Sequence, residues 1–221
     1  FEKSIKEDLS WAGLNWNSLV KQSDRLSRYN QVLESLIEKE LVYPCFETPE
    51  ELSLKRKSQL SSGKPPVYDR SSLKLSLKDI EGFKSEGKKP HYRFLLKHET
   101  VFWNDMVRGD SKYNMGNISD PIIVREDGRF IYTLASVIDD IDLKISHIIR
   151  GEDHVTNSAA QIQIFNSMGE NVPIMGHLSL MTDIKGEGLS KRTGGLSIKD
   201  LRNEEIESLS LNSYLSLAGT S

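Results

Sequence analysis

The chain has 221 residues, of which 37% are hydrophobic and 28% are charged, and its formal net charge is −3 at pH 7. This is enough for one large or two small globular domains, and the charge excludes a protein whose whole surface is basic enough for nucleic acid. The single cysteine, Cys45, excludes an intrachain disulfide and a multi-cysteine zinc site, which makes the cytoplasm the default compartment.

The first part of the chain predicts helices. Residues 23–39 place apolar side chains at helical spacing and predict an amphipathic helix. A second, highly charged helix is predicted over residues 47–60, with Thr48-Pro49-Glu50 at its start. A linker rich in glycine and proline follows over residues 61–70, and a short helix over residues 78–87 is expected to end at glycine.

From His91 onward the hydrophobic pattern changes to short apolar runs that are typical of strands. Asp127-Gly128 lies between two of these runs and predicts a hairpin. The run at residues 145–149 predicts a buried parallel strand. The predicted strands are residues 92–96, 101–107, 121–124, 130–134, 145–149 and 178–181.

Two helices complete the pattern. The first is expected to be capped by one of residues 156–158 and to end at Gly169, and the second covers residues 198–218 with a break near Asn203. The alternation of strand, helix, strand, loop and helix after residue 145 predicts half of an open α/β sheet.

Two features directly follow predicted strands and therefore fall at the same edge of that sheet, where ligands bind in open α/β folds. Arg150 follows one strand, and the loop Gly186–Gly195 follows a later one. Glycines on both sides let this loop approach a ligand closely. Lys191 beside Arg192 offers two cations to a phosphate chain. The sequence therefore predicts a nucleotide site here.

A series of motifs in one order resembles the bacterial glutamyl-tRNA synthetases, a family of class I aminoacyl-tRNA synthetases, over nearly all of the chain. The loop core Leu189–Arg192 is similar to the family's variant of the KMSKS signature, and Ile149–His154 is similar to its arginine-glycine-acid stretch. The other matching segments are Leu14–Trp16, Tyr43–Phe46, Lys64–Asp69, Asp105–Gly109 and Ile131–Ala135.

The resemblance implies an α/β fold: part of a Rossmann-like class I catalytic domain with an inserted α+β acceptor-stem-binding domain and the start of a helical stem-contact region. The expected domains are residues 1–42 and 132–196 for the two parts of the catalytic domain, 43–131 for the insertion and 197–221 for the stem-contact region.

The same resemblance implies the activity of a glutamate–tRNA ligase. Glutamate and ATP with Mg²⁺ would form glutamyl-adenylate, and the glutamyl group would then move to the 3′ end of tRNA(Glu). The implied protein is a monomer, and the sequence leaves open whether tRNA(Gln) is also charged. Catalysis of this kind relies on positioning and charge stabilisation and needs no protein nucleophile.

The resemblance also assigns roles to individual residues. Arg150 would bind the carboxylate of glutamate, for which a guanidinium is the natural partner. Lys191 would be catalytic, because it would neutralise the triphosphate as pyrophosphate leaves. The other implied site residues are Tyr132 and Ser136 for glutamate, and Asp153, Leu180, Met181, Ser190 and Arg192 for ATP.

The sequence also departs from the family in several places. The family's first signature, the HIGH motif, has no counterpart, so we expect the 221-residue polypeptide alone to be inactive. Two alternatives therefore stay open: a glutamyl-queuosine tRNA synthetase paralogue and a catalytically inactive tRNA-binding fragment. Cys45 and Glu47 stand where zinc-containing members place cysteines, and Ser71-Ser72 do not restore the ligands. We therefore expect no structural zinc and no other metal site.

Overall fold

The computed structural model describes residues 2–182 and 197–219, and in these ranges it contains eight α-helices and seven β-strands. In chain order they are α1 (Glu2–Trp11), α2 (Leu26–Glu38), β1 (Val42–Cys45), α3 (Pro49–Ser61), α4 (Leu77–Ser85), β2 (His91–Phe94), β3 (Thr100–Asp105), β4 (Gly109–Asn114), β5 (Ile122–Val124), α5 (Tyr132–Asp142), β6 (His147–Gly151), α6 (Val155–Met168), β7 (Ile174–Leu178), α7 (Ile198–Asn203) and α8 (Ser208–Gly219).

The chain forms two compact units. The larger consists of Gln22–Arg150 and His154–His177. The smaller consists of Phe1–Lys21, Gly151–Asp153 and Leu178–Ser221.

A three-stranded antiparallel sheet in the larger unit has the strand order β1-β2-β5. In its register Val42 lies opposite Phe94, and Cys45 lies opposite His91. Val42 and Phe94 are buried and join the hydrophobic core, as apolar residues on the inner face of a sheet do.

The second sheet is mixed, with the strand order β4-β3-β7-β6. Strands β3 and β4 form an antiparallel hairpin, whereas β3 and β7 run parallel and pair at Asp105 and Met175. Asp105 is the last residue of β3, while Arg150 and His177 are the penultimate residues of β6 and β7. Three polar side chains thus stand at strand ends, where α/β sheets place their ligands.

Helices α2, α5 and α6 supply much of the core of the larger unit. Leu36, Leu134 and Ile164, one from each helix, are at most 1% exposed. The hydroxyl of Tyr29 in α2 donates to the carboxylate of Asp139 in α5 at 2.8 Å, so this buried polar pair is satisfied.

Most of the predicted helices are confirmed. Helix α2 begins after a short 3₁₀ turn at Gln22–Arg25. Thr48 caps α3 with a reciprocal capping box to Glu51, which fixes its start at Pro49. The predicted break near Asn203 is also confirmed, because α7 ends there.

Several predicted boundaries are wrong. The segment 130–134 is no strand, because α5 begins at Tyr132 and only Phe130 bridges to Val124. The strand predicted at 178–181 lies earlier, at Ile174–Leu178. Helix α6 begins at Val155 without a side-chain cap.

The strand predicted at 145–149 is shifted to His147–Gly151. It is not buried: β6 lies at the end of its sheet, and Ile149 is 58% exposed. An apolar run alone does not distinguish an edge strand from a central one, so the exposure of β6 could not be predicted from hydrophobicity.

In the described residues the smaller unit contains the helices α1, α7 and α8 together with the last residues of β6 and β7. Arg202 of α7 forms an ion pair with Asp8 of α1 at 3.5 Å, and the side-chain amide of Asn212 in α8 donates to the carbonyl oxygen of Ala12 at 3.0 Å. Across residues 2–182 and 197–219, no helix is both long and apolar enough to cross a membrane.

Candidate active site

The Arg150 guanidinium, at the end of β6, is held by three neutral acceptors. Its Nη1 donates to the hydroxyl of Tyr132 at 3.1 Å. Its Nη2 donates to the hydroxyl of Ser158 and to the side-chain oxygen of Gln161, each at 2.6 Å. Its Nε is buried and has no hydrogen-bond partner in the described part of the chain. Because no acceptor carries a charge, the arginine is oriented without being neutralised.

Tyr132 is the first residue of α5 and is 47% exposed. Its ring packs edge-on against the ring of His154, with centroids 5.9 Å apart. These contacts place the phenol next to the Arg150 guanidinium, so two of the three residues predicted to bind glutamate meet in the structure.

Gln161 in α6 is one of the three acceptors of Arg150 and is itself held by Ser136. It is 1% exposed, and its amide nitrogen donates to the hydroxyl of Ser136 at 2.7 Å. The Ser136 hydroxyl in turn donates to the carbonyl oxygen of Tyr132 at 2.6 Å. This places the third predicted residue, Ser136, behind Arg150, and its direct contact with a substrate stays a prediction.

A second buried chain of polar groups reaches Arg150 through Ser158. The Nδ1 atom of His177 lies 2.5 Å from the carboxylate of Asp105, and its Nε2 lies 2.5 Å from the Ser158 hydroxyl. Burial alone would raise the pKa of Asp105, but hydrogen bonds from His177 and from backbone N–H groups hold that pKa well below its usual range. Asp105 is therefore an ionised acceptor.

The charge of Arg150 affects the pKa of the Asp140 carboxyl group in α5. Burial and the neighbouring charge of Asp139 raise the pKa of Asp140 to about 6, while Arg150 acts in the opposite direction. No ion pair joins Arg150 to a carboxylate among the residues that the structure describes.

Two of the residues predicted to bind ATP meet in the smaller unit, at Gly151. A Cβ added to Gly151 would lie 2.6 Å from a carboxylate oxygen of Asp153 and 2.9 Å from a methyl group of Leu180. A larger residue at this position would therefore have to displace the ends of both side chains. Leu180 and Met181 are about half exposed, at 48% and 51%. Ser190, Lys191 and Arg192 lie outside the described residues.

Cys45, Glu47 and His91 place potential metal-ligand atoms within 4.8 Å of one another. A structural zinc ion takes four ligands and binds cysteine as the thiolate, and the other contacts of these three residues do not fit that arrangement. The Glu47 carboxylate already accepts from Tyr68 and Ser71, each at 2.8 Å, and burial raises the pKa of the Cys45 thiol. The absence of structural zinc stays a prediction, and these hydrogen bonds support it.

Sequence reasoning missed the residues behind Arg150. Asp105, Ser158, Gln161 and His177 are each at most 1% exposed, yet all four are polar. A polar residue within an apolar segment is the only signal the sequence offers for them, and it does not identify their partners.

The fold is that of an α/β domain, and Arg150 stands at the end of a strand, where such domains bind their ligands. The family of class I tRNA synthetases (E and Q), catalytic domain, matches residues 1–221, and the chain belongs to this family.

Relatives agree with this assignment. The chain is 50% identical over 222 residues to glutamate–tRNA ligase 1 of Maricaulis maris and to glutamate–tRNA ligase of Azospirillum brasilense, covering all of this chain and 50% of each relative. A crystal structure of a glutamate tRNA ligase from Elizabethkingia meningosepticum in complex with its amino acid is 27% identical, with a TM-score of 0.76 over 91% of this chain and 42% of that one. The chain thus spans about half the length of the curated relatives it matches.

Proposed function

We propose that the protein containing this chain is a glutamate–tRNA ligase, which activates glutamate with ATP and transfers it to the 3′ end of tRNA(Glu). The observation that carries this proposal is the Arg150 guanidinium, which is oriented by Tyr132, Ser158 and Gln161 and forms no ion pair with a carboxylate in the described part of the chain. A preorganised arginine suits the carboxylate of an amino acid.

The proposal divides the chain as the family resemblance does. Residues 43–131 would form the acceptor-stem-binding insertion, and the three-stranded sheet supports this because β2, β5 and nearly all of β1 lie inside that range. Residues 1–42 and 132–196 would belong to the Rossmann-like catalytic domain, and residues 197–221 would begin the stem-contact region. The partners would be glutamate, ATP and tRNA(Glu), with a monomeric protein in the cytoplasm.

ATP with Mg²⁺ would bind on the side of the smaller unit. Asp153 and Leu180 would contact the nucleoside, since both close around Gly151. Met181 would join them, and Ser190, Lys191 and Arg192 would face the phosphates. Lys191 would stabilise the charge that develops as pyrophosphate leaves.

The test measures aminoacylation of tRNA(Glu) by the full-length protein and compares wild type with Arg150→Ala. Removing one partner of a desolvated charge pair costs about 2–5 kcal/mol, so the glutamate KM should rise roughly 30-fold to several thousand-fold. The ATP KM should change little, because Arg150 would contact only the amino acid.

Arg129→Ala is the matched control, since Arg129 is an exposed arginine paired with Asp127 in a turn. It should leave the glutamate KM unchanged. A glutamate KM that Arg150→Ala leaves intact would exclude the proposed role of Arg150. A protein that binds tRNA but never charges it would instead be the inactive alternative.

A further inference from the structure

A linear chain of hydrogen bonds connects β3, β7 and α6 to Arg150. It runs from Asp105 through the His177 imidazole to the Ser158 hydroxyl and ends at Nη2 of Arg150. Asp105 and His177 are 1% exposed and Ser158 is 0% exposed. Asp105 and His177 are 72 residues apart in the sequence, so the fold alone brings them together.

The direction of each hydrogen bond follows from the ionised end. Asp105 is an acceptor, so Nδ1 of His177 donates to it, and in the neutral ring Nε2 is then the acceptor. The Ser158 hydroxyl has one proton, and its two acceptors are Nε2 of His177 at 2.5 Å and the carbonyl oxygen of His154 at 3.2 Å. The shorter contact favours Nε2. Because a guanidinium only donates, Ser158 offers a lone pair to Nη2 of Arg150.

Asp105 has a structural role of its own, because its carboxylate accepts from the backbone N–H groups of Val107, Arg108 and His177, each at 3.1 Å. The buried neighbours of His177 and Ser158 in the same elements are apolar. Met175 in β7 and Ala159 in α6 fill neighbouring positions of the same elements with apolar side chains and are buried at 1% and 0% exposure. Burying a carboxylate, an imidazole and a hydroxyl costs free energy unless every group is paired. A polar chain that ends on a substrate-binding candidate indicates a role there.

We propose that Ser158 and His177 are positioning residues that act through Arg150 and set the affinity for the carboxylate of the amino-acid substrate. This inference rests on the proposed function. Ser158 fixes one edge of the guanidinium and His177 fixes Ser158, while Asp105 fixes the tautomer of His177. Because all acceptors of Arg150 are neutral, its charge is kept for the substrate while its orientation is set before binding.

The experiment compares Ser158→Ala and His177→Gln in the full-length protein. Loss of a hydrogen bond to a charged group weakens binding about tenfold or more, so each variant should raise the glutamate KM about tenfold. The ATP KM should stay within about twofold of wild type, because a general loss of structure would raise both. His91→Gln is the control, since His91 is also buried and no hydrogen bond links it to Arg150 in the described residues.

The decisive measurement repeats Ser158→Ala and His177→Gln in an Arg150→Ala background. If the two residues act through Arg150, each should change the glutamate KM less than about twofold there, because the effects of groups that act as one unit do not add. A merely structural contribution would persist undiminished in that background and would overturn the inference. Should His177→Gln fail to fold, the cycle with Ser158→Ala decides alone, since it removes a single oxygen atom.

The failures of the two proposals are distinguishable. If Arg150→Ala alone leaves the glutamate KM unchanged, the proposed role of Arg150 is wrong and this inference falls with it. If Arg150→Ala raises the glutamate KM but Ser158→Ala and His177→Gln do not, only the positioning role is overturned.

Discussion

Two arginines of the larger unit, Arg70 and Arg150, use the same side chain for opposite purposes. The Arg70 guanidinium grips the carboxylate of Asp120 with Nε at 2.8 Å and Nη2 at 2.7 Å, a two-pronged ion pair. The Arg150 guanidinium makes three hydrogen bonds, and each ends on a neutral oxygen. Asp120 neutralises the charge of Arg70, whereas no carboxylate among the described residues forms an ion pair with Arg150.

The surroundings of Asp120 show that the Arg70 pair holds the fold together. Asp120 also accepts from the hydroxyl of Tyr43 at 2.6 Å and from the backbone N–H of Leu96 at 3.0 Å. One buried carboxylate thus connects the segments around Arg70, Tyr43 and Leu96. Arg70 itself sits in the left-handed region at φ +56°, a conformation that costs about 1 kcal/mol or more for a non-glycine residue. The surrounding contacts offset that strain.

The comparison gives a simple physical criterion. An arginine bound to a carboxylate contributes to stability, whereas an arginine bound only to neutral acceptors is, on our proposal, a residue that binds an anionic substrate. Perturbing each arginine should therefore affect different measurements.

The largest effect is expected for Asp120→Ala. Removing one partner of a buried ion pair leaves the other without compensation and costs about 3–5 kcal/mol. The free energy of unfolding, measured with urea on the full-length protein, should fall by this amount. A loss below about 1 kcal/mol would show that solvent rescues Arg70, which is 25% exposed, and would remove the distinction between the two arginines.

The next effect concerns Arg150→Lys. An ammonium keeps the charge but cannot hold three acceptors in one plane, so the variant should recover little of the affinity for glutamate. We expect a glutamate KM at least tenfold above wild type, while the free energy of unfolding changes by less than about 1 kcal/mol. Full recovery by lysine would mean that charge alone matters and that the neutral acceptors have no orienting role.

Local patterns of the sequence predicted local structure. The capping residues of α3 and the apolar stripe of α2 lie within single elements, so the sequence around them was sufficient. The stretch around Phe130 was not: its apolar residues suit a strand, but Tyr132 begins a helix whose buried face, including Leu134, is used by tertiary packing.

The candidate site divides in the same way. The resemblance to a family indicated Arg150 and Tyr132, which the structure brings together at 3.1 Å. It assigned no role to Asp105, which lies in a matching segment, or to His177, because their partners are set by the pairing of β3 with β7 rather than by spacing along the chain. Long-range pairing of buried polar groups has no sequence period, so only the folded chain reveals it.

The smallest effect is expected where an arginine meets a carboxylate near solvent, at Arg28 and Asp142. The Arg28 guanidinium donates to both oxygens of Asp142 at 3.0 Å, but its side chain is 43% exposed. Solvent screens such pairs, and Arg25 still contacts Asp142 at 2.5 Å if Arg28 is removed. Arg28→Ala should therefore lower the free energy of unfolding by about 0.2–1 kcal/mol.

The pH dependence gives this small effect a sign. Hydrogen bonds from Arg28 lower the pKa of Asp142 below its ordinary value of about 3.9. Partial burial opposes this shift, and hydrogen bonds from Arg25 add to it. A depressed carboxyl pKa contributes stability above the unfolded value and loses it as the pH falls through the folded value. The difference between wild type and Arg28→Ala should thus be constant above about pH 5 and vanish in more acidic solution. A difference that persists after Asp142 is protonated would show that Arg28 stabilises through packing of its aliphatic stem rather than through its charge.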